Sequence, residues 1–140
     1  MNGDFMKNII FCLIALMSVS ASASDLKPTD IKVGQLANYY HAGLMERIVG
    51  SVTNVYSDGK VEIYNGLSVT KKISNVGIQV ESGCLQGICV GDNVRYFHAG
   101  LLEHFTNRVL VVYDNGYLQI ANGADYTLRK ISKVSRALNR

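Results

Sequence analysis

The residues best placed to do chemistry in this chain occur twice, as His-Ala-Gly-Leu-x-Glu at 41–46 and again at 98–103. An imidazole and a carboxylate bracketing a short turn can hydrogen-bond to each other across it. Two such sets facing one another would instead offer His41, Glu46, His98 and Glu103 to a zinc-like cation. Pairs around a loop more commonly serve local hydrogen bonding, so no metal or other cofactor is expected. Gly43 and Gly100 are expected as turn glycines. Aromatic pairs, Tyr39-Tyr40 and Tyr96-Phe97, lead into the two motifs. Neighbours on a strand point to opposite faces, so one ring of each pair should pack inward while the other meets solvent. An outward ring next to a His-Glu turn could carry a sugar or a peptide. The candidate ligand-binding residues are therefore Tyr39, Tyr40, His41, Glu46, Tyr96, Phe97, His98 and Glu103.

Catalytic signatures are lacking. The chain has no Gly-x-Ser-x-Gly elbow, phosphate loop or His-Glu-x-x-His helix. No catalytic residue is assigned, and the chain reads as a non-enzyme.

Lys7, the apolar run Ile9 to Val19 and Ala21-Ser22-Ala23 have the form of a cleavable secretory leader occupying residues 1–23. The apolar run is too short to cross the roughly 30 Å hydrocarbon core of a bilayer. No later segment would insert, so a periplasmic or secreted mature chain without membrane insertion is expected. Cys12 falls inside the leader, which leaves Cys84 and Cys89 as a pair. In an oxidising compartment such a pair reads as a structural disulfide. Its C-x4-C spacing differs from that of zinc and thioredoxin-type sites.

The net charge of +3 is mild, although Arg129, Lys130, Lys133, Arg136 and Arg140 crowd the last twelve residues. They read as a solvated terminus. Arg95, Arg108, Lys71 and Lys72 are scattered in sequence rather than interleaved with aromatic rings, so nucleic acid is not expected as a partner.

The elements that must position these residues come in duplicate. Aligning Val33–Gly66 with Val90–Gly123 at an offset of 57 gives 15 identities in 34 positions. Chance would supply only about two or three, so the pattern is an internal repeat. After a one-residue gap, Lys-Ile-Ser-Asn-Val matches Lys-Ile-Ser-Lys-Val. Repeat 1 spans 33–80 and repeat 2 spans 90–137, with 81–89 as a disulfide-pinned connector. Each repeat reads as β throughout. Leu36 to His41 and Val94 to His98 are short aromatic-rich strands, followed by Val/Ile/Tyr-dense segments at Ile48 to Tyr56 and Phe105 to Tyr113. Asp58-Gly59 and Asn115-Gly116 suit type I′ hairpin turns. In the return strands Val61, Ile63, Leu118 and Ile120 should face inward, with Lys60, Glu62 and Gln119 outward. Five short strands in about 50 residues fit a small barrel. Units that small are marginal alone, so the two should pack together.

The succession Val33-Gly34, Gly50, Val52, Val55-Tyr56, Asp58-Gly59, Val61 and Ile63 resembles the SH3-like small β-barrels, including bacterial SH3 and Tudor-type barrels. So do Val90-Gly91, Val109, Val112-Tyr113, Asn115-Gly116, Leu118 and Ile120. The resemblance implies an all-β fold of two tandem five-stranded barrels behind the leader. It also implies a role in binding peptides, glycans or nucleic acids. The second repeat departs from the pattern with Asn107 where the first has Gly50, and neither has the groove Trp of many proline-peptide binders. With the leader and the cysteine pair, the expectation is an exported, non-catalytic binding module. Its partner would be a cell-envelope protein or a peptidoglycan-like glycan. A small exported inhibitor or accessory subunit of an envelope enzyme is the alternative.

Overall fold

The computed structural model describes residues 26–138. The leader expected at 1–23 and the terminal Arg140 lie outside the described residues. The fold is all-β. After a 3-10 turn at Pro28–Asp30, the first unit comprises β1 (Leu36–His41), β2 (Glu46–Val55), β3 (Lys60–Tyr64), β4 (Ser68–Lys72) and β5 (Val76–Ile78). The second comprises β8 (Asn93–His98), β9 (Glu103–Val112), β10 (Tyr117–Asn122), β11 (Asp125–Lys130) and β12 (Ser135–Arg136). Between them lies a small hairpin of β6 (Cys84–Leu85) and β7 (Ile88–Cys89). The sheet orders β4-β3-β2-β1-β5 and β11-β10-β9-β8-β12 are the same order transposed, so the repeated sequence folds the same way twice.

Apolar alternation builds each core. Ala37, Tyr39, Val52, Val61 and Ile63 point into the first unit, closed by Ile73, Val76 and Ile78. Val94, Tyr96, Val109, Val112, Leu118 and Ile120 fill the second. Tyr39 and Tyr96 are buried while their neighbours Tyr40 and Phe97 are exposed, as strand alternation requires. Gly50 is constrained by packing. A Cβ there would lie 2.6 Å from the Ile63 methyl and 2.7 Å from the Tyr64 carbonyl oxygen. The second unit carries Asn107 at this place, with its amide donating to the Tyr96 hydroxyl at 3.0 Å.

Two turn expectations need correction. In the β2–β3 and β9–β10 hairpins only Gly59 (φ 89°) and Gly116 (φ 84°) adopt positive φ, not Asp58 or Asn115. Gly59 N–H bonds to the Tyr56 carbonyl, and Tyr56 N–H to that of Lys60. The loop is therefore three residues long, a turn followed by a left-handed glycine, rather than a two-residue type I′ turn. The type I′ geometry falls instead at Gln86-Gly87 (φ 50° and 82°), between the paired residues Leu85 and Ile88. Directly beside it, Cys84 and Cys89 form the expected disulfide. Of the described basic residues near the C-terminus, Lys130, Lys133 and Arg136 are exposed, and all lie within ordered elements. Arg129 and Lys130 end β11, Lys133 lies in the 3-10 turn Ile131–Lys133, and Arg136 is paired in β12.

The units dock asymmetrically. Beyond β5 the chain runs on along the end of β9. Val80 N–H bonds to the Val112 carbonyl at 2.9 Å and Asp114 N–H to the Ile78 carbonyl at 2.9 Å. The Asp114 carboxylate accepts the Ile78 N–H at 2.7 Å. Asn115, at the tip of the β9–β10 turn, exchanges amide hydrogen bonds with Asn38 of β1 at 3.0 and 3.3 Å. Arg47 donates to the same Asn38 at 2.8 Å, and its guanidinium lies 4.4 Å from the Tyr117 ring centre. The turn of unit 2 thus plugs onto the outer sheet face of unit 1. Gln119, which alternation sets on the face opposite Leu118 and Ile120, is not solvent-exposed as expected. It is buried, and its side-chain oxygen accepts from the Tyr113 hydroxyl at 2.6 Å.

Candidate functional site

The duplicated His-Ala-Gly-Leu-x-Glu segments form the β1–β2 and β8–β9 hairpin tips. His41 and Glu46 are cross-strand partners, as are His98 and Glu103. The imidazoles nevertheless turn into their own loops. His41 Nδ1 accepts the Leu44 N–H at 3.1 Å, and His98 Nδ1 accepts the Leu101 N–H at 3.2 Å. Each ring sits over its glycine: a Cβ on Gly43 would meet His41 Cε1 at 3.0 Å, and one on Gly100 would meet His98 Cε1 at 3.1 Å. At these glycines the tight contact is with the ring, and no positive φ calls for glycine. Positive φ falls two residues later, on Met45 (54°) and Leu102 (53°). That conformation is uncommon for residues with a side chain. Among the described residues, no three His, Cys, Asp or Glu side chains converge to hold a metal ion.

What the tips present is apolar. Met45 is 79% exposed and Leu102 77%, beside the exposed Leu44 and Leu101. At the first tip, Tyr39, His41, Leu44, Ile48, Leu67 and Val69 line an open apolar hollow of about 440 Å³. Tyr39 and His41 therefore converge as candidates, whereas Tyr40 lies outside the hollow and Glu46 belongs to a different cleft. At the second tip, Phe97 packs against His104 at a tilt, with ring centres 5.1 Å apart, and His98 meets Phe105 edge-on at 5.8 Å.

The second cleft, about 480 Å³, follows the seam between the units and was not anticipated from sequence. Glu46, Arg47 and Ile48 form one wall, with Tyr117 and Asp125 to Arg129 opposite. Burial raises the affinity of the Tyr126 hydroxyl for its proton, and the Asp125 and Glu46 carboxylates reinforce this, against a hydrogen bond with the Val49 backbone. Residues on the two walls are about eighty positions apart, so no local pattern could have joined them.

No family profile, characterised protein or solved structure matches this chain.

Proposed function

We propose that the chain is an exported, non-catalytic binding module of two SH3-like barrels that contacts a cell-envelope component, glycan or protein, through its hairpin tips. The observation that carries this reading is the apolar pair at each tip, Leu44-Met45 and Leu101-Leu102. Apolar side chains held outward on capped, left-handed turns have no role in either core. A disulfide fits an oxidising, extracytoplasmic compartment. No helix among the described residues is long and apolar enough to cross a membrane. The leader-like segment, with its apolar run and small-x-small end, supports the same location.

The test is a photo-crosslinking residue placed at Leu44 or Leu101 in the producing cell. Adducts are identified by mass spectrometry and by co-sedimentation with purified cell wall. Labelling of an envelope glycan or protein that disappears on Leu44→Ser/Leu101→Ser substitution is expected. Absence of adducts at both tips, with crosslinking from a control position on β4, would refute the reading.

A further inference from the structure

Among the described residues Asn-Gly occurs three times, at 65–66, 115–116 and 122–123. In such a pair the glycine nitrogen can attack the side-chain carbonyl carbon of the asparagine, because no Cβ on the glycine obstructs the approach. A bond forms between the glycine N and the asparagine Cγ, the Cγ–Nδ2 bond breaks, and the proton of the glycine amide leaves with the ammonia. Water then opens the five-membered succinimide ring. Opening at Cγ leaves an aspartate. Opening at the backbone carbonyl leaves an isoaspartate, whose main chain runs through the former side chain. Water is the one co-reactant. The reaction needs a glycine N–H that can give up its proton and a carboxamide that can swing onto it.

The fold meets both needs at two pairs and denies both at the third. Asn65-Gly66 lies between β3 and β4, and Asn122-Gly123 lies at the equivalent turn between β10 and β11. All four residues are exposed. Among the described residues neither carboxamide has a hydrogen-bond partner, and neither glycine N–H is donated. Asn115 differs on each count. Gly116 donates its N–H to the Tyr113 carbonyl at 3.1 Å. The Asn115 carboxamide donates to Asn38 Oδ1 at 3.0 Å and accepts from Asn38 Nδ2 and the Tyr117 N–H, each at 3.3 Å. It is also seated against Gly77, where a Cβ would overlap it. The bonds to Tyr113 and Tyr117 belong to the turn itself. The Asn38 pair and the Gly77 seat exist only because unit 2 docks on unit 1.

We propose that Asn65 and Asn122 are sites of spontaneous conversion to aspartate and isoaspartate, and that docking of the two units spares Asn115. The new carboxylate is ionised at neutral pH, so each conversion removes one unit from the net charge of +3. Asn65 borders the apolar hollow at the first tip, and its conversion sets a charge there. At Asn115 conversion and docking exclude each other. Arg47 Nε donates to Asn38 Oδ1 at 2.8 Å, which fixes the orientation of that amide. A carboxylate at 115 would set an oxygen against the same Oδ1 in place of the amide donor. Units that separate for long enough to let Asn115 react are thereby hindered from docking again.

Ageing the purified protein in warm, mildly alkaline buffer and mapping its peptides tests this. Fragmentation spectra locate each exchange of NH2 for OH, and chromatography separates aspartyl from isoaspartyl forms. In the folded protein Asn65 and Asn122 should convert at rates close to those in urea. Asn115 should lag behind both by about tenfold or more, the factor that one or two neutral hydrogen bonds supply, and should catch up in urea. Gly77→Ala displaces the Asn115 carboxamide, and Asn38→Ala removes its partner. Each variant should speed Asn115 and leave Asn65 and Asn122 unchanged, with circular dichroism showing that the sheets persist. Either variant suffices if the other does not fold. Folded Asn115 that reacts as fast as Asn65 overturns the proposal. So does Asn65 or Asn122 standing intact in the folded protein while it converts in urea. Folded seam variants in which Asn115 stays slow would show that the turn alone protects it, and would overturn the role given to docking.

Discussion

Replacing Gly77 by alanine probes the seam most directly. Gly77 lies in β5, and its φ is not in the left-handed region, so alanine can adopt the backbone without strain. Its methyl group would overlap the Asn115 carboxamide. Displacing that side chain breaks the reciprocal amide pair with Asn38 and leaves the fully buried Asn38 amide N–H without its acceptor. Two neutral hydrogen bonds contribute about 1 kcal/mol each, and an unsatisfied buried donor costs a further 1–3 kcal/mol. Against this, removing a glycine from the unfolded chain returns about 0.4–1 kcal/mol. The net expectation is a loss of about 2–4.5 kcal/mol, read as a lower urea midpoint by tyrosine fluorescence, the chain having no Trp. The decisive comparison is the same substitution made on Asn115→Ala. With the carboxamide gone the overlap vanishes, and Gly77→Ala should become neutral or slightly stabilising. If its cost is the same in both backgrounds, or is below about 0.5 kcal/mol in the wild type, then the two units do not dock as described.

Other outcomes follow from the same geometry. Burial pushes the Tyr113 phenol well above its ordinary value of about 10, with the Tyr126 phenol a lesser contributor. The folded state holds that proton where the unfolded chain releases it. Stability is therefore unaffected below about pH 10 and falls as the pH rises beyond it. Tyr113→Phe should flatten the alkaline limb in pH-dependent melts while costing about 1–3 kcal/mol at neutral pH, because Gln119 loses its donor. His41→Ala removes one exposed turn cap and should cost about 0.5–1 kcal/mol by thermal melting. Cys84→Ser/Cys89→Ser should lower stability by about 2 kcal/mol or less, because the disulfide closes a loop that the Gln86-Gly87 hairpin already brings together. Chemical denaturation with and without reductant measures it.

The local sequence determined a great deal. Period-two alternation in Val61-x-Ile63 and Leu118-x-Ile120, glycines after Asp58 and Asn115, and the closely spaced Cys84 and Cys89 set the strands, the hairpins and the disulfide. The adjacent pairs Tyr39-Tyr40 and Tyr96-Phe97 set which ring goes inside. These follow from the pleat and from φ restrictions, which act within a few residues. The duplication was equally plain, and with it the identical strand order of the two sheets.

The tertiary structure decided what the two copies do differently. Identical motifs meet unlike surroundings once unit 2 plugs its turn into unit 1. Gln119 and Tyr113 go under, while Glu62 and Tyr56 stay out. Glu46 joins a cleft with Asp125, and Arg95 comes to lie diagonally from Arg108 on an open face. The His-Ala-Gly-Leu tips resolve into ring-capped turns because each imidazole reaches an N–H of its own loop. None of this is encoded at strand range. Docking depends on the shape and charge of whole faces that the chain brings together only after both sheets exist, so it is a property of the assembled surfaces rather than of any window of sequence.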